Sequence, residues 1–280
     1  MKTKLFHRYG LKFNPFNPDI PTEALYRYPA LDNFLWRVEQ TIIQDGGFAL
    51  ISGESGAGKS ATLRLLANQL SHLAEVQVGV ITHPSATLCD FYRELGDIFG
   101  VPLNANNRWH GFKLLRERWA QHLQTTLIRP VLIIDEAQEM PACVLNEIRL
   151  LTSTQFDSKL LLCIILAGDI RLTDKLRQCE LIPLGSRIRA RLNIPSASSE
   201  QLLACLEHVL TQAGNAKLMT TELKKTLCDH AMGNHRVLCN MAASLLAIAA
   251  KQELAELNEK LFLEFTSTQK PQTKNQRSLT

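Results

Sequence analysis

A glycine-rich segment that follows a short apolar run constrains this chain more than any other feature. Residues 48–51 are apolar and sufficient for one buried strand, and residues 53–60 spell G-x-x-x-x-G-K-S. The glycines let backbone N–H groups close around phosphate oxygens, and a helix predicted over 61–70 adds the positive end of its dipole. Strand, glycine loop and helix in this order predict a site for a nucleoside triphosphate.

The predicted phosphate contacts come from this loop and from the first turn of its helix. Lys59 is expected to reach the β- and γ-phosphates, and the Ser60 hydroxyl is expected to ligate Mg²⁺. The full set is Gly53, Glu54, Ser55, Gly56, Ala57, Gly58, Lys59, Ser60 and Ala61. A glycine-rich turn without a ligand is the alternative, but the strand and helix on either side argue against it.

A second apolar run ends in a pair of acidic residues. Residues 130–136 read PVLIIDE, and the apolar part predicts a buried strand. Asp135 at its carboxyl end lies where open α/β sheets bind ligands. We expect Asp135 to complete the magnesium shell and Glu136 to polarise the attacking water as a general base. A plain acidic pair at the start of a helix is the alternative.

Predicted strands and helices alternate up to about residue 195, and only helical patterns follow. This alternation predicts a parallel sheet with helices on both faces. We predict an extended N-terminal arm (1–22), an α/β nucleotide-binding domain (23–196), a helical lid domain (197–265) and a disordered basic tail (266–280). The finer pattern predicts helices over 88–99, 109–127, 141–154 and 254–265, and a strand over 160–167.

Composition restricts the class of protein but does not indicate a function. The net charge of +4 comes from the two ends, because residues 1–12 and 266–280 contain basic residues and no acid. Overall basicity is therefore weak support for nucleic-acid binding. No apolar run approaches the roughly 18 residues that a membrane span needs. The seven cysteines form no C-x-x-C pair, which favours reduced thiols and a cytoplasmic location.

The succession of strands, the DEAQ at residues 135–138 and the helical C-terminal part resemble the AAA+ ATPases. Residues 10–19 (GLKFNPFNPD) and 233–242 (GNHRVLCNMA) resemble, more narrowly, the ExeA-like group. That group includes secretion ATPases and ATPase partners of transposases related to TnsC, TniB and the phage Mu B protein. The resemblance implies a P-loop NTPase with a five-stranded parallel sheet and a small helical lid. It also implies ATP and Mg²⁺ as cofactors and a homo-oligomer, either a ring or a helical filament.

The resemblance suggests roles for arginines outside the loop. AAA+ proteins use an arginine of a neighbouring subunit, and Arg187 matches it within GSRIRARL (185–192). Arg189 and Arg191 compete, because alternate residues of an extended segment face the same way; solvated surface arginines are the alternative. Arg236 resembles the second sensor of the lid, although His235 stands where the family usually has proline.

Two further assignments follow from the resemblance. The first sensor falls at Gly168 or Asp169, where a carboxylate is unusual beside a γ-phosphate because like charges repel. Tyr9, Phe13 and Phe16 either pack near the adenine or simply dock the N-terminal arm.

A basic cluster supplies the expected DNA contacts. Arg108, Lys113 and Arg116 lie in the region that faces DNA in transposition ATPases of this type, and lysine and arginine suit phosphate contacts. His83 and the basic tail are further candidates outside that region. A solvated charged helix face is the alternative.

These features predict an ATP-dependent protein that oligomerises on target DNA and recruits or activates a transposase. The DNA is expected to be double-stranded and bound without sequence specificity, and turnover is expected to be slow and switch-like. An ExeA-like ATPase for assembly of a secretion apparatus is one alternative, although such proteins usually continue into a membrane span and a periplasmic region. An ATP-gated loader or signalling module without direct DNA contact is another.

Overall fold

The computed structural model describes residues 8–81, 83–103, 107–155 and 158–269. These residues form two compact units. We call residues 27–195 the α/β unit, and residues 8–26 together with 196–269 the helical unit. The first seven residues of the predicted arm and residues 270–280 of the predicted tail lie outside the described residues.

The α/β unit is built on a five-stranded sheet with all strands parallel. The strands of the unit are β1 (Gly47–Gly53), β2 (Val76–Ile81), β3 (Arg129–Ile134), β4 (Ser153–Thr154), β5 (Lys159–Leu160), β6 (Cys163–Gly168) and β7 (Ile188–Ile194). The sheet order is β2-β3-β6-β1-β7, while β4 and β5 form a separate antiparallel pair. Because the five strands are parallel, the carboxyl ends of β1, β3 and β6 share one edge, where such sheets bind ligands.

Seven α-helices accompany this sheet in the described part of the α/β unit. They are α1 (Pro29–Arg37), α2 (Lys59–Ser71), α3 (Leu88–Phe99), α4 (Arg108–Gln121), α5 (Ala142–Thr152), α6 (Ile170–Lys175) and α7 (Ile182–Gly185). Helix α3 has the predicted bounds because both of its ends are encoded locally. The Thr87 side chain accepts from the backbone N–H of Asp90, and Gly100 ends the helix with a left-handed φ of 64°.

A large apolar core lies against one part of the sheet. It includes Phe48 of β1, Phe99 of α3 and Trp119 of α4. The Trp119 ring is fully buried and meets the Phe99 ring edge-on, with centroids 5.2 Å apart. Burial of each such side chain stabilises the fold by roughly 1.5–3 kcal/mol. Packing of this core therefore holds α3 and α4 on the sheet.

Three predicted elements of the α/β unit end or begin elsewhere. The predicted helix over 109–127 is α4 followed by a π-helical segment, His122–Thr126, and it stops where Leu127 takes a left-handed φ of 56°. The predicted strand over 160–167 begins at Cys163, because residues 159 and 160 pair with β4 instead. For the same reason α5 ends at Thr152 rather than at residue 154.

The longer helices of the helical unit, within the described residues, are α8 (Ser199–Ala213), α9 (Thr221–His230), α10 (His235–Lys251) and α11 (Glu259–Gln269). A capping box between Ser198 and Gln201 starts α8. Helix α11 begins five residues later than predicted and continues to Gln269, so the predicted disorder from residue 266 is wrong for its first four residues. Across the described ranges, no helix is long and apolar enough to cross a membrane.

The N-terminal segment is part of the helical unit. Tyr9 and Phe16 are buried in the core of this unit with Phe13 packed beside them, and the Tyr9 hydroxyl donates to the carbonyl of Leu254 (3.0 Å). The Lys12 N–H donates to the Ala213 carbonyl at 2.8 Å. Of the two roles predicted for the aromatic residues, docking of the arm therefore accounts for their burial. Arg8 and Tyr9 are helical, unlike the extended arm predicted there.

Candidate active site

The phosphate loop joins β1 to α2, as predicted. A Cβ at Gly53 would lie 2.7 Å from the Ile194 carbonyl oxygen of β7, so only glycine allows this backbone approach. Gly58, immediately before α2, has a φ of 105°, a left-handed value that other residues rarely adopt. The loop conformation therefore requires glycine at both ends. It leaves the start of a 13-residue helix, with its unpaired N–H groups, facing the loop.

Lys59 is buried at the first position of α2. Only 5% of its surface is exposed, and its ammonium donates to the carbonyls of Gly53 and Glu54, both at 3.0 Å. These carbonyls hold the positive charge over the loop without neutralising it. A buried cation whose hydrogen bonds go to neutral carbonyls favours an anionic ligand.

Ser60 and Asp135 meet across the loop. The Ser60 hydroxyl donates to Asp135 Oδ2 at 2.8 Å, while Asp135 Oδ1 accepts from the Glu136 N–H at 2.9 Å. A hydroxyl and a carboxylate at this separation are hard oxygen donors of the kind that bind Mg²⁺ together with substrate phosphates. The two side chains that the sequence predicts as magnesium ligands therefore fit the ion.

Glu136 has an unusual backbone conformation. Its φ is 50° and its ψ is 38°, and it precedes a 3₁₀ turn formed by Ala137–Glu139. A non-glycine residue in this region costs on the order of 1–3 kcal/mol, and such residues cluster at functional sites. The Glu136 side chain is exposed, and its Oε2 atom accepts a hydrogen bond from the amide of Gln138. The candidate base is thus held on a strained turn beside the magnesium ligands.

Asp169, the predicted first sensor, caps α6. Its carboxylate accepts from the Arg171 N–H at 2.9 Å and pairs with the Arg171 guanidinium at 2.8 Å. Hydrogen bonding to Arg171 is the main cause that lowers the Asp169 pKa, and the charge of Lys59 lowers it further. Asp169 therefore stays ionised near Lys59, and its backbone N–H donates to the Gln138 side chain at 3.3 Å.

The three candidate finger arginines lie along the edge of the sheet. Arg187 precedes β7, whereas Arg189 and Arg191 are exposed on it and alternate with buried Ile188 and Ala190. Arg187 donates to the Pro183 carbonyl, Arg189 approaches Asp45 at 3.5 Å, and Arg191 donates to the Gly185 carbonyl at 3.0 Å. Arg187 remains our choice of finger.

The predicted second sensor lies in the helical unit. Arg236 is the second residue of α10, is exposed, and donates its backbone N–H to the Asn234 side chain at 3.0 Å. Asn234 caps the helix in the position where a lid helix begins. Its contact with a γ-phosphate stays a prediction.

Two of the predicted DNA contacts have roles inside the fold. The Arg108 guanidinium pairs with Glu147, whose carboxylate is 2% exposed and also accepts from the Tyr92 hydroxyl. The Arg116 guanidinium donates to the Ser153 carbonyl at 2.7 Å and lies 4.9 Å from the centre of the Phe112 ring. Arg108 in particular neutralises a buried acid, which explains its presence without DNA.

The other two predicted DNA contacts differ in their surroundings. Lys113 is exposed on α4, four residues after Trp109, whose ring is 71% exposed and stacks on Phe112 with an interplanar angle of 7°. His83 lies instead in a groove whose charged side chains are mostly acidic, namely Asp90, Glu94 and Asp97 beside the single arginine Arg93. Acidic neighbours repel phosphate, so Lys113 is the better candidate of the two.

Comparison with known proteins agrees with this geometry. A family model described as an AAA domain matches residues 42–176. General secretion pathway protein A of Aeromonas hydrophila is 31% identical to this chain over 245 residues. That match covers 86% of this chain and 44% of the relative, so the chain spans less than half of the relative's length.

Solved structures share the fold at low identity. The Aeropyrum pernix ORC2 protein, in its ADPNP-ADP complexes, superposes with a TM-score of 0.73 at 15% identity, covering 92% of this chain and 72% of that one. The Aeropyrum pernix ORC1 protein in complex with DNA gives a TM-score of 0.66 at 16% identity, covering 91% and 68%. Together with the loop, the magnesium ligands and the acidic pair, these matches show that the chain has the P-loop AAA+ fold.

Proposed function

We propose that this protein is a cytoplasmic, ATP-controlled switch that oligomerises on duplex DNA and recruits or activates a transposase. The observation that carries the ATP-dependent part is the cluster of Lys59, Ser60, Asp135 and Glu136 at the carboxyl edge of the sheet. ATP binding favours the oligomer, and hydrolysis releases it. Turnover is slow because the nucleotide sets the lifetime of an assembly.

The residues of the site divide the chemistry between them. Lys59 and the N–H groups of the loop bind the β- and γ-phosphates, while Ser60 and Asp135 hold Mg²⁺. The bound ion neutralises charge on the phosphate oxygens. The Glu136 carboxylate accepts the proton of a water that attacks the γ-phosphorus, and ADP leaves on the opposite side.

Arg187 supplies positive charge to the site of the neighbouring subunit. P-loop ATPases commonly add such an arginine, in cis or in trans, and its removal lowers the rate by roughly 10³–10⁵-fold. Arg187→Ala should therefore keep ATP affinity and lose hydrolysis to about that extent, in a steady-state phosphate-release assay. Arg191→Ala tests the competing candidate four residues away on the same edge, and it should keep hydrolysis if Arg187 is the finger.

A mixing experiment separates a finger in trans from one in cis. Arg187→Ala subunits keep an intact base, and Glu136→Gln subunits keep an intact finger. In an equal mixture about one interface in four combines both, if subunits assort randomly in a cyclic or helical assembly. Hydrolysis by the mixture well above that of either variant supports the trans assignment. A mixture no more active than its parts contradicts it.

The DNA-binding surface that we propose is the exposed face of α4. Trp109 and Lys113 are exposed on this face, and the half-buried Phe112 and Arg116 lie beside them at helical spacing. Lys113 contacts a phosphate, and the exposed Trp109 ring offers apolar surface beside it. These groups distinguish no base sequence, so the contact is non-specific.

Binding to duplex DNA should require a non-hydrolysable ATP analogue and weaken steeply with salt. Each phosphate contact contributes about 0.9 to the slope of log affinity against log salt. Lys113→Ala should reduce that slope by about 1, while Lys225→Ala, which removes an exposed lysine of α9, should leave it unchanged. Fluorescence anisotropy with labelled duplexes of unrelated sequence measures both slopes.

Assembly of a secretion apparatus is the second candidate function. The 31% identity to General secretion pathway protein A favours it, because the matched region includes the ATPase part of this chain. Without direct DNA contact, a loader or signalling role also remains. Normal ATP hydrolysis with no ATP-dependent DNA binding at low salt would favour these alternatives over transposition.

A further inference from the structure

The amide side chain of Gln138 connects the candidate base to the end of β6. Gln138 is 7% exposed and lies in the 3₁₀ turn that follows Glu136. We infer that Gln138 is a positioning residue, which holds the Glu136 carboxylate in its orientation for catalysis. This inference rests on the proposed role of Glu136 as the base.

The backbone determines which way the Gln138 amide points. The Asp169 N–H donates to Gln138 Oε1 at 3.3 Å, and a backbone N–H can only donate. The amide oxygen must therefore face Asp169, which leaves the NH₂ group to face Glu136. Gln138 Nε2 then donates to Glu136 Oε2, as the structure shows. One carboxylate oxygen is occupied, and the other is left to accept a proton from water.

The surroundings of Gln138 leave little freedom to this amide. A Cβ at Gly168 would lie 2.5 Å from Gln138 Oε1, so the absence of a side chain at residue 168 makes room for the amide. The Lys175 ammonium donates to the Gln138 carbonyl at 3.1 Å and also to the Met140 carbonyl. The Gln138 side chain and main chain are thus both held by α6 or by the residue that caps it.

The contact with Gln138 matters because the Glu136 side chain is otherwise exposed to solvent. An exposed glutamate visits several rotamers, and a misplacement of about 1 Å in a catalytic group can cost about 100-fold in rate. A buried neutral amide restrains the carboxylate without adding charge to a site that binds a polyanion. Glutamate at residue 138 would still accept from Asp169 but could not donate to Glu136 when ionised.

Two substitutions of similar length test the inference. Gln138→Met removes donor and acceptor, and Gln138→Glu removes the donor alone. We expect kcat to fall by about 10- to 100-fold in both variants. KM and the affinity for a fluorescent ATP analogue should stay within about twofold of the wild-type values, because the hydrogen bonds of Gln138 go to Glu136, Asp169 and Lys175. Gln138→Glu with a wild-type kcat would overturn the inference, as would a loss of nucleotide affinity equal to the loss of rate.

A double-mutant cycle tests whether Gln138 acts through Glu136. In the Glu136→Gln background, Gln138→Met should not lower the residual hydrolysis further, because the base is already absent. Additive losses would mean that Gln138 acts independently, which contradicts positioning. The same assay distinguishes a failure of Glu136 as the base from a failure of Gln138 as the positioning residue. Normal hydrolysis by Glu136→Gln alone refutes the base, whereas an inactive Glu136→Gln beside fully active Gln138 variants refutes only the positioning role.

Discussion

Lys59→Ala is expected to abolish detectable ATP binding. The Lys59 ammonium is buried and held by two loop carbonyls, where it faces the site for the β- and γ-phosphates. Hydrogen bonds to charged groups contribute roughly 1.5–3 kcal/mol each, so loss of two phosphate contacts corresponds to at least about a hundredfold weaker affinity. Equilibrium titration with a fluorescent ATP analogue and Mg²⁺ measures this loss directly.

Lys224→Ala provides the matched control for this experiment. Lys224 is also a buried lysine, 8% exposed, but it lies on α9 and donates to the Ala216 carbonyl within the helical unit. Its loss should lower the melting temperature without changing nucleotide affinity. If Lys59→Ala binds the analogue as tightly as the wild-type protein, the loop is not the triphosphate site. A folded Lys59→Ala variant, judged by its melting temperature, excludes general unfolding as the cause.

The parts of the fold that could be predicted from sequence are those with local causes. The phosphate loop combines an apolar strand, glycines at two positions that require them, and a helix start within 13 residues. Helix α3 likewise carries its own start and stop in Thr87 and Gly100. Because chain neighbours determine such features, a single sequence specifies them.

The parts that sequence reasoning missed depend on residues far apart in the chain. The sequence left open whether Tyr9 docks the arm, because its hydrogen-bond partner Leu254 is 245 residues away, and it missed the pairing of Arg108 with Glu147, 39 residues away. In the sequence alone, Arg108 is one of several basic residues in a cluster. In the sequence, Gln138 is notable only as the last residue of DEAQ, because its partner Asp169 follows a different strand, β6. No local pattern identifies such pairs.

Glu136→Gln is expected to keep ATP affinity and to lower hydrolysis by roughly 10²–10⁴-fold. The substitution preserves size, and its side-chain oxygen can still accept from Gln138, so the turn need not change. It removes the group that accepts the proton from water. Single-turnover hydrolysis and equilibrium ATP binding, measured on the same preparation, distinguish a loss of chemistry from a loss of affinity.

Glu139→Gln is the control for charge in the same turn. Glu139 is exposed and pairs with Arg171 at 2.9 Å, and an exposed ion pair contributes little to stability. Its loss should leave the hydrolysis rate within about twofold of wild type.

If hydrolysis drives release from DNA, Glu136→Gln should also form ATP-bound oligomers that stay on DNA, seen as a slow dissociation rate after dilution. Normal turnover by Glu136→Gln would remove Glu136 as the base, whereas lost turnover with rapid release from DNA would separate hydrolysis from the proposed switch.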